Sequence, residues 1–304
     1  MIPATSLFRS LVAAAACLLS LPAVAADERR EMRWEFPGRD VAAMGITARA
    51  GTIRYFADRR DRVEIRAIRT VKARRRELAR ALAEDAPVAL TLDDRQVTIT
   101  DKWPSMAGDE KEPPEIRVDI EVHAPPGVAL RTEIESGETR VEGETSVLTV
   151  RAGSGPVRLI KQVVRRGALV TVGSGSVEID GRMGDLAVTV GNGSVRAERL
   201  DCGGAETVVL ESQTGEVRAG FRSLPRTELR VQTGTGNVFL RLPGACRATA
   251  TVITANGKAT SEFPLPRAAR TAGDTGAYLA GTIGGGGVSV RVQTGSGNAT
   301  LERG

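Results

Sequence analysis

Short segments in the second half of the chain alternate apolar and polar residues on both sides of a glycine-centred turn. A period of two is typical of a β-strand with one buried face. The apolar positions recur at fixed distances from the turn in copy after copy. Three residues before the turn the side chains are aliphatic, and four residues after it they are valine or alanine: Val150, Val170, Val188, Leu210, Val231 and Val292, then Val157, Val177, Val195, Val217, Val238 and Ala299.

The turn recurs with a regular spacing. From Gly137 to Gly297 the chain covers 160 residues, and eight intervals give a period of about 20 residues, which is typical of a solenoid. Glycine supplies the positive φ that a tight turn needs. We assign this structural role to one glycine in each copy: Gly137, Gly155, Gly175, Gly193, Gly215, Gly236, Gly257 and Gly297.

Two structures can use such a unit. In a hairpin, the two flanks of one copy pair with each other across the turn. In a β-arc, each flank pairs with the same flank of the next copy. The likeness of equivalent columns favours the arc, because like side chains then stack on one another. The pattern therefore predicts an all-β fold, a parallel β-solenoid (β-helix) with coils of about 20 residues, over residues 126–304.

The first half of the chain, residues 27–125, carries strand patterns with a weaker repeat. A short charged helix is predicted near residues 71–84, because Val71, Leu78 and Leu82 fall on one helical face and arginines on the other. We assign this half to an N-terminal β-rich part of the same domain. The strand patterns lie at residues 31–36, 62–68, 87–92, 96–100 and 116–124.

The order of these segments resembles a known family. The segments are AGTIRYF and DRVEIRAIR, then the charged helix and ALTLDDRQVTIT, then VDIEVHAPPGVALR and serial turns of the SGSVEI type. In that order they are similar to the bacterial "putative adhesin" domain of unknown function, a β-solenoid family related to the head-GIN adhesin-like domains. The resemblance covers nearly all of residues 40–304. It implies a single-domain parallel β-solenoid on an exported protein, with no catalytic residues to carry over.

The N-terminus has the pattern of an export signal. Residues 1–26 contain one charge, Arg9, followed by the apolar run Leu11–Leu21. That run is shorter than the about 20 residues that span a bilayer. Small residues at Ala23 and Ala25 indicate signal-peptide cleavage near Ala25/Ala26. We therefore expect a periplasmic or secreted protein.

The residue inventory argues against catalysis. One histidine, His123, leaves no pair for a two-histidine metal site and makes a Ser-His-Asp triad improbable. The outward column after the turns is mixed and offers no opposed carboxylates for a glycosidase: Arg158, Glu178, Arg196, Arg218, Phe239 and Thr300. We predict no catalytic residues, no cofactor and no metal ligand. Cys202 and Cys246 remain after cleavage, and the sequence leaves a disulfide and two free thiols equally open, because two rungs separate them.

Charge is concentrated in residues 59–80, where ten basic residues face three acidic ones for a net charge of +7. An anionic surface, such as lipid headgroups or lipopolysaccharide, is one partner for this segment. The alternative is a solvated helix face. The contact residues under the first hypothesis are Arg69, Arg74, Arg75, Arg76 and Arg80.

These observations lead to one functional hypothesis with two alternatives. The first is a non-enzymatic, exported adhesin or scaffold that binds a protein, a glycan or a membrane surface of the cell envelope and can self-associate through the solenoid ends. The alternatives are a carbohydrate-active β-helix enzyme and anionic-surface binding through residues 59–80. Nucleic acid is excluded as a partner, because basic residues here lack interleaved aromatics and the chain is exported.

Overall fold

Parallel strands stacked side by side build most of this protein. The computed structural model describes residues 26–85, 88–103, 113–266 and 276–304. The predicted signal peptide lies outside these residues, except for Ala26. The N-terminal elements are β1 (Ala26–Pro37), β2 (Ala43–Ala57), β3 (Arg62–Ala73), α1 (Arg76–Asp85), β4 (Val88–Asp93), β5 (Gln96–Asp101) and β6 (Glu115–Ala124), with a 3-10 turn at Gly38–Asp40.

The predicted turns separate the strands of the repeated part, except at Gly137, where one strand continues through the turn. Three of them are long, because they continue around a corner of the coil: β7 (Val128–Ser154), β8 (Val157–Ser174) and β9 (Val177–Asn192). The shorter ones are β10 (Val195–Asp201), β11 (Thr207–Thr214), β12 (Val217–Ser223), β13 (Glu228–Thr235), β14 (Val238–Leu242), β15 (Ala248–Asn256), β16 (Ala259–Ser261), β17 (Ala277–Ile283), β18 (Val288–Ser296) and β19 (Ala299–Arg303).

The coils pair as arcs, and this confirms the predicted parallel β-solenoid. Val150 lies beside Val170, which lies beside Val188, and every strand in this column runs in the same direction. After the turn, Val157 lies beside Val177 in a second parallel column. These aliphatic side chains point inward and are fully buried. Burying each one stabilises the fold by about 1.5–3 kcal/mol, so the columns form a narrow core without stacked aromatics.

The last coils do not stack in chain order, which corrects the expectation that each copy pairs with the next. Val231 of β13 lies beside Val292 of β18, and Val292 lies beside Val252 of β15. The coil that carries Gly297 is therefore inserted between the coils of Gly236 and Gly257. The reason is β17, which runs antiparallel along the other edge of β15. Because that edge is occupied, β18 has only the inner edge of β15 to pair with.

An antiparallel layer closes the N-terminal end of the stack. β6 pairs with β3, and β3 pairs with the edge strand β1. Helix α1 covers this layer, but it begins at Arg76 rather than near residue 71. Val71 belongs to β3, where it packs against Leu82 of the helix. The predicted helix start is wrong because β3 continues its pairing with β1 as far as Ala73.

Each turn glycine has a backbone conformation that other residues rarely adopt. Over the eight predicted turn glycines, φ lies between +114° at Gly155 and +151° at Gly257. The same glycines stack closely: a Cβ on Gly175 would overlap the carbonyl oxygen of Gly155. In the later coils, inward hydroxyls also donate hydrogen bonds to these carbonyls, as Thr233 Oγ1 does to Gly215 O at 2.9 Å. These bonds fix one coil against the next.

Candidate binding surfaces

Cross-strand carboxylates neutralise much of the basic segment 59–80. β1 lies antiparallel to β3, so Glu31 receives hydrogen bonds from Arg66 at 2.8 Å, and Glu35 receives one from Arg62 at 2.6 Å. The hydrogen bonds from Arg66, and then from Arg33, lower the pKa of the exposed Glu31 to about 2. The net charge of +7 counted along the sequence is therefore not the charge that this surface presents.

The predicted anionic-surface residues have different environments. Arg69 was wrongly included, because its side chain is fully buried beside Asp101, with 3.6 Å between Nη1 and Oδ1. The other four are exposed on the turn into α1 and on the helix itself: Arg74, Arg75, Arg76 and Arg80. Within this group Arg76 contacts Glu28 at 3.4 Å and Arg80 contacts Glu84 at 3.1 Å.

A second basic surface runs along the stack. The strands that follow the turns project a column of side chains outward, which we call the arginine face: Arg140, Arg158, Glu178, Arg196, Arg218 and Phe239. Each member lies one strand from the next. Arg158 Nε contacts Glu178 at 3.3 Å, and the Arg218 guanidinium stacks on the Phe239 ring at 4.7 Å. The face is rigid, because paired strands and neighbouring side chains hold its arginines in position.

The arginine face opens into a cavity of about 280 Å³ at Gly220. Beside it, β10 contains one residue more than β12 between the pairs Ala197–Ala219 and Leu200–Phe221. Such a β-bulge redirects a side chain. Sequence reasoning listed part of this column but missed the cavity, because neither the bulge nor the gap at Gly220 has a recognisable pattern of its own.

The environment of His123 does not resemble a catalytic triad. Its Nδ1 lies 3.0 Å from Asp58 and its Nε2 lies 3.4 Å from Glu121. Its ring stacks on Phe56 with 5.1 Å between centroids. Among the residues that the structure describes, no serine, threonine or cysteine hydrogen-bonds to this ring, and no cluster of metal-ligating side chains occurs.

Cys202 and Cys246 are both free thiols, so the disulfide alternative is not the one in this structure. Cys202 follows β10 and is fully buried, whereas Cys246 follows β14 and is half-buried. The coil of β12 lies between them: the backbone N–H of Cys202 donates to Ser223 O at 3.2 Å. Bridging that intervening coil would require the backbone to move.

No helix among the described residues is both long and apolar enough to cross a membrane.

Among curated proteins, none matches this chain. Similar solved structures include the following two. A "putative adhesin" from Bacteroides fragilis NCTC 9343 is 10% identical over 90% of this chain and 97% of its own, with a TM-score of 0.44. A "putative cell adhesion protein" from Clostridium sporogenes ATCC 15579 is 8% identical over 91% of this chain and 100% of its own, with a TM-score of 0.29.

A family model confirms the resemblance that was seen in the order of the sequence segments. It matches residues 45–302, from β2 to the last strand of the stack. The family has no established function. The chain therefore belongs to the Toastrack DUF4097 family.

Proposed function

We propose that this protein is an exported, non-enzymatic binding module that acts as an adhesin or scaffold in the cell envelope. The observation that carries the proposal is the arginine face, a continuous column of outward side chains held on paired strands. A rigid surface loses little conformational entropy on binding, which favours recognition over catalysis. The signal-peptide pattern of residues 1–26 supports export.

The carbohydrate-active enzyme is the weaker alternative. A glycosidase needs one carboxyl group that stays protonated and a second that is ionised. On and beside the arginine face Glu178 contacts Arg158, Asp180 contacts Arg199 and Glu198 contacts Arg196. Each of these carboxylates is therefore held in an ion pair with an arginine, an arrangement that suits a polar binding surface better than a pair of catalytic carboxyl groups.

Site-specific crosslinking in cells tests the proposal. A photoreactive amino acid replaces Arg196 on the arginine face or, as the control, Thr189 on the exposed face of the strands before the turns. We expect a defined envelope partner to crosslink at position 196 and not at 189. Fractionation of the same cells reports export, which deletion of residues 2–26 is expected to abolish. Equal crosslinking at both positions, or export of the truncated chain, contradicts the proposal.

A second candidate function rests on the exposed arginines at the start of α1. Arg74, Arg75 and Arg76 are adjacent and exposed, and basic residues near an anionic membrane contribute about 1 kcal/mol each. The test compares R74E/R75E/R76E with the control R165E/R166E, which reverses charge at a distant exposed site. Vesicles with anionic lipid and purified lipopolysaccharide serve as probes. Unchanged binding of the triple variant, or equal loss in the control, rules out this site.

Self-association through the solenoid ends stays a prediction. The described N-terminal edge is β1, which pairs only with β3. Its outward side chains are charged, among them Glu31, Arg33 and Glu35, and charge on an edge strand opposes edge-to-edge pairing. Sedimentation velocity at several protein concentrations tests it: association predicts a concentration-dependent coefficient, whereas a constant monomer value excludes it.

A further inference from the structure

The cavity at Gly220 is the most distinctive feature of the arginine face. Gly220 lies beside Arg241 in the stack, between the strands β10 and β14. Equivalent outward positions in the other coils carry larger side chains: Ile160, Asp180, Glu198, Arg241 and Glu302. The missing side chain leaves the floor of the cavity open above Ala219 and Phe221.

Backbone geometry does not require this glycine. Its φ lies outside the left-handed region that favours glycine. A Cβ at Gly220 would find its nearest neighbour, the backbone nitrogen of Arg199, at 3.9 Å, which is ordinary contact. The stacked turn glycines differ in both respects. Gly220 therefore provides space on the surface and has no role in shaping the chain.

An arginine in an unusual backbone conformation borders the same cavity. Arg199 is the extra residue of the β10 bulge and has φ of +56°, which residues other than glycine seldom adopt. In the preceding coil this corner carries Gly181, with φ of +136°. One coil earlier still, the corner carries Lys161 with φ of +47°, so the positive φ belongs to the corner of the coil. What Arg199 adds is a guanidinium at this corner, which contacts Asp180 at 2.9 Å.

The cavity has an excess of positive charge. Its lining contains four arginines and two glutamates: Arg199, Arg218, Arg222 and Arg241, with Glu198 and Glu302. Arg218 stacks on Phe239, and Arg241 contacts Glu302 at 2.7 Å. Arg222 is exposed and has no hydrogen bond or ion pair with any residue that the structure describes. A carboxylate or phosphate is the group that a guanidinium fork binds best, so Arg222 is available for an oxyanion.

A second depression continues the cavity along the stack. It also measures about 280 Å³ and shares Glu198 and Arg199 with the first. Its lining is richer in carboxylates, with Glu178 and Asp180 besides Glu198. Carboxylates accept hydrogen bonds from hydroxyl groups. Strands stack at ~4.8 Å, and Gly220 of β12 lies two strands from Asp180 of β9, so a linear chain along the solenoid axis reaches both depressions over about 10 Å.

We propose that this groove binds a linear acidic polysaccharide, with a uronate unit at Gly220 and a neutral sugar in the neighbouring depression. The uronate carboxylate lies against Arg222 and Arg199, and the hydroxyls of the neutral unit donate to Glu178 and Asp180. The inference deepens the proposed function, because it names the ligand class of the arginine face.

Titration calorimetry on the purified mature chain tests the groove. The probes are oligosaccharides in which a single glucuronate, galacturonate or mannuronate is joined to neutral sugars, together with the same compounds after reduction of their carboxylates to alcohols. We expect at least one acidic probe to bind and its reduced form to bind at least tenfold more weakly. Failure of every acidic probe, or equal affinity of acidic and reduced forms, overturns the proposal.

Matched variants locate the binding. Gly220→Gln fills the cavity, and Gly204→Gln places the same side chain at an exposed glycine with open space around it. Arg222→Gln removes the positive charge that is available to the ligand. Its control, Arg226→Gln, removes a positive charge from an exposed arginine that does not line the cavity. We expect at least tenfold weaker binding for the first member of each pair and parental binding for its control. Thermal unfolding verifies the fold of every variant.

This result is separate from the crosslinking experiment. Loss of sugar binding in Gly220→Gln with retained crosslinking at position 196 indicates a protein partner beside the groove and leaves both proposals standing. Parental sugar binding in both Gly220→Gln and Arg222→Gln overturns the groove assignment alone, because export and crosslinking do not depend on it.

Discussion

The insertion of the last coil out of chain order can be tested by crosslinking. Gln232 of β13 and Gln293 of β18 are directly opposite each other on the outer surface of the stack. Ile253 of β15 lies opposite Gln293 on its other side. Replacing Gln232 and Gln293 by cysteine therefore places two thiols on adjacent strands. Replacing Gln232 and Ile253 instead places them two strands apart.

The spacing of the strands decides which pair can bond. Adjacent strands lie ~4.8 Å apart, which is within the range of about 4.4–6.8 Å between the Cα atoms of a disulfide. Strands two apart lie about 10 Å from each other and exceed it. A bond between positions 232 and 293 closes a loop of roughly 60 residues. The resulting loss of entropy in the unfolded chain raises the free energy of unfolding by at most about 4 kcal/mol.

The assay uses a chain in which Cys202 and Cys246 are replaced by alanine. After mild oxidation, we expect the 232/293 pair to form a disulfide that is visible by non-reducing electrophoresis and by mass spectrometry of the linked peptides. Urea unfolding is expected at a higher midpoint without reductant than with it. The 232/253 pair is the matched control and should remain reduced. Bonding of the control with none in the 232/293 pair would refute the inserted order.

Three further predictions follow from particular contacts. Gly175→Ala should lower the free energy of unfolding by about 3 kcal/mol, because φ is +146° and the added Cβ meets the neighbouring coil. The control Gly204→Ala lies in open space and should change the free energy of unfolding by less than about 0.5 kcal/mol. Equal losses in the two variants contradict this. Hydrogen bonding, chiefly from a serine hydroxyl, lowers the pKa of Asp201. The ionised Asp201 therefore stabilises the fold above the ordinary aspartate pKa near 3.9, and this stabilisation is lost as pH falls through the lowered value. Between pH 6 and pH 2, the free energy of unfolding from denaturant titrations should therefore fall less for Asp201→Asn than for the parent. Parallel plots of that free energy against pH exclude the effect. Burial raises the pKa of Cys202 to about 12 and also raises that of Cys246. Iodoacetamide at pH 8 should therefore label the half-buried Cys246 first, and unfolding without reductant should expose both thiols to labelling; two unreactive cysteines in the unfolded chain contradict this.

The solenoid could be predicted because its physical requirements are local and repeated. A tight turn needs glycine, and a half-buried strand needs alternation, so each coil carries both signals. Val150, Val170 and Val188 form one inward column, as the spacing indicated. Five of the six described strands of the first half were visible as well, because the predicted segments overlap β1, β3, β4, β5 and β6 but not β2.

The order of the coils and the start of α1 depend on competition between segments that are distant in sequence. β18 carries the same RVQTG run as β13, whereas it shares only its alternation with β15. The likeness of β18 to β13 therefore agrees with the inserted order, but the expectation of stacking in chain order did not use it. The antiparallel β17 determines the order by covering β15. Likewise, Val71 satisfies a helical period, but its pairing with Glu28 of β1 keeps it in a strand. Tertiary pairing overrides local preference in both places.

Charge counting misjudged the basic segment for the same reason. The count along residues 59–80 includes only nearby acids, whereas β1 contributes Glu28, Glu31 and Glu35 from the neighbouring strand or across α1. Arg69 was misjudged most, because it lies on the inward face of β3, where Asp101 is its charged neighbour. A linear charge count is reliable only where no second strand lies alongside.

The groove at Gly220 combines features that no single stretch of sequence contains. Its lining comes from β10, β12, β14 and β19, which stack although they are far apart in the chain. The repeat that reveals the architecture also conceals this site, because the site depends on a departure from it: the missing side chain at Gly220. In a solenoid, regular positions mainly serve stability. Departures that the backbone does not require are therefore the best places to look for function, and Gly220 meets that criterion where the stacked turn glycines do not.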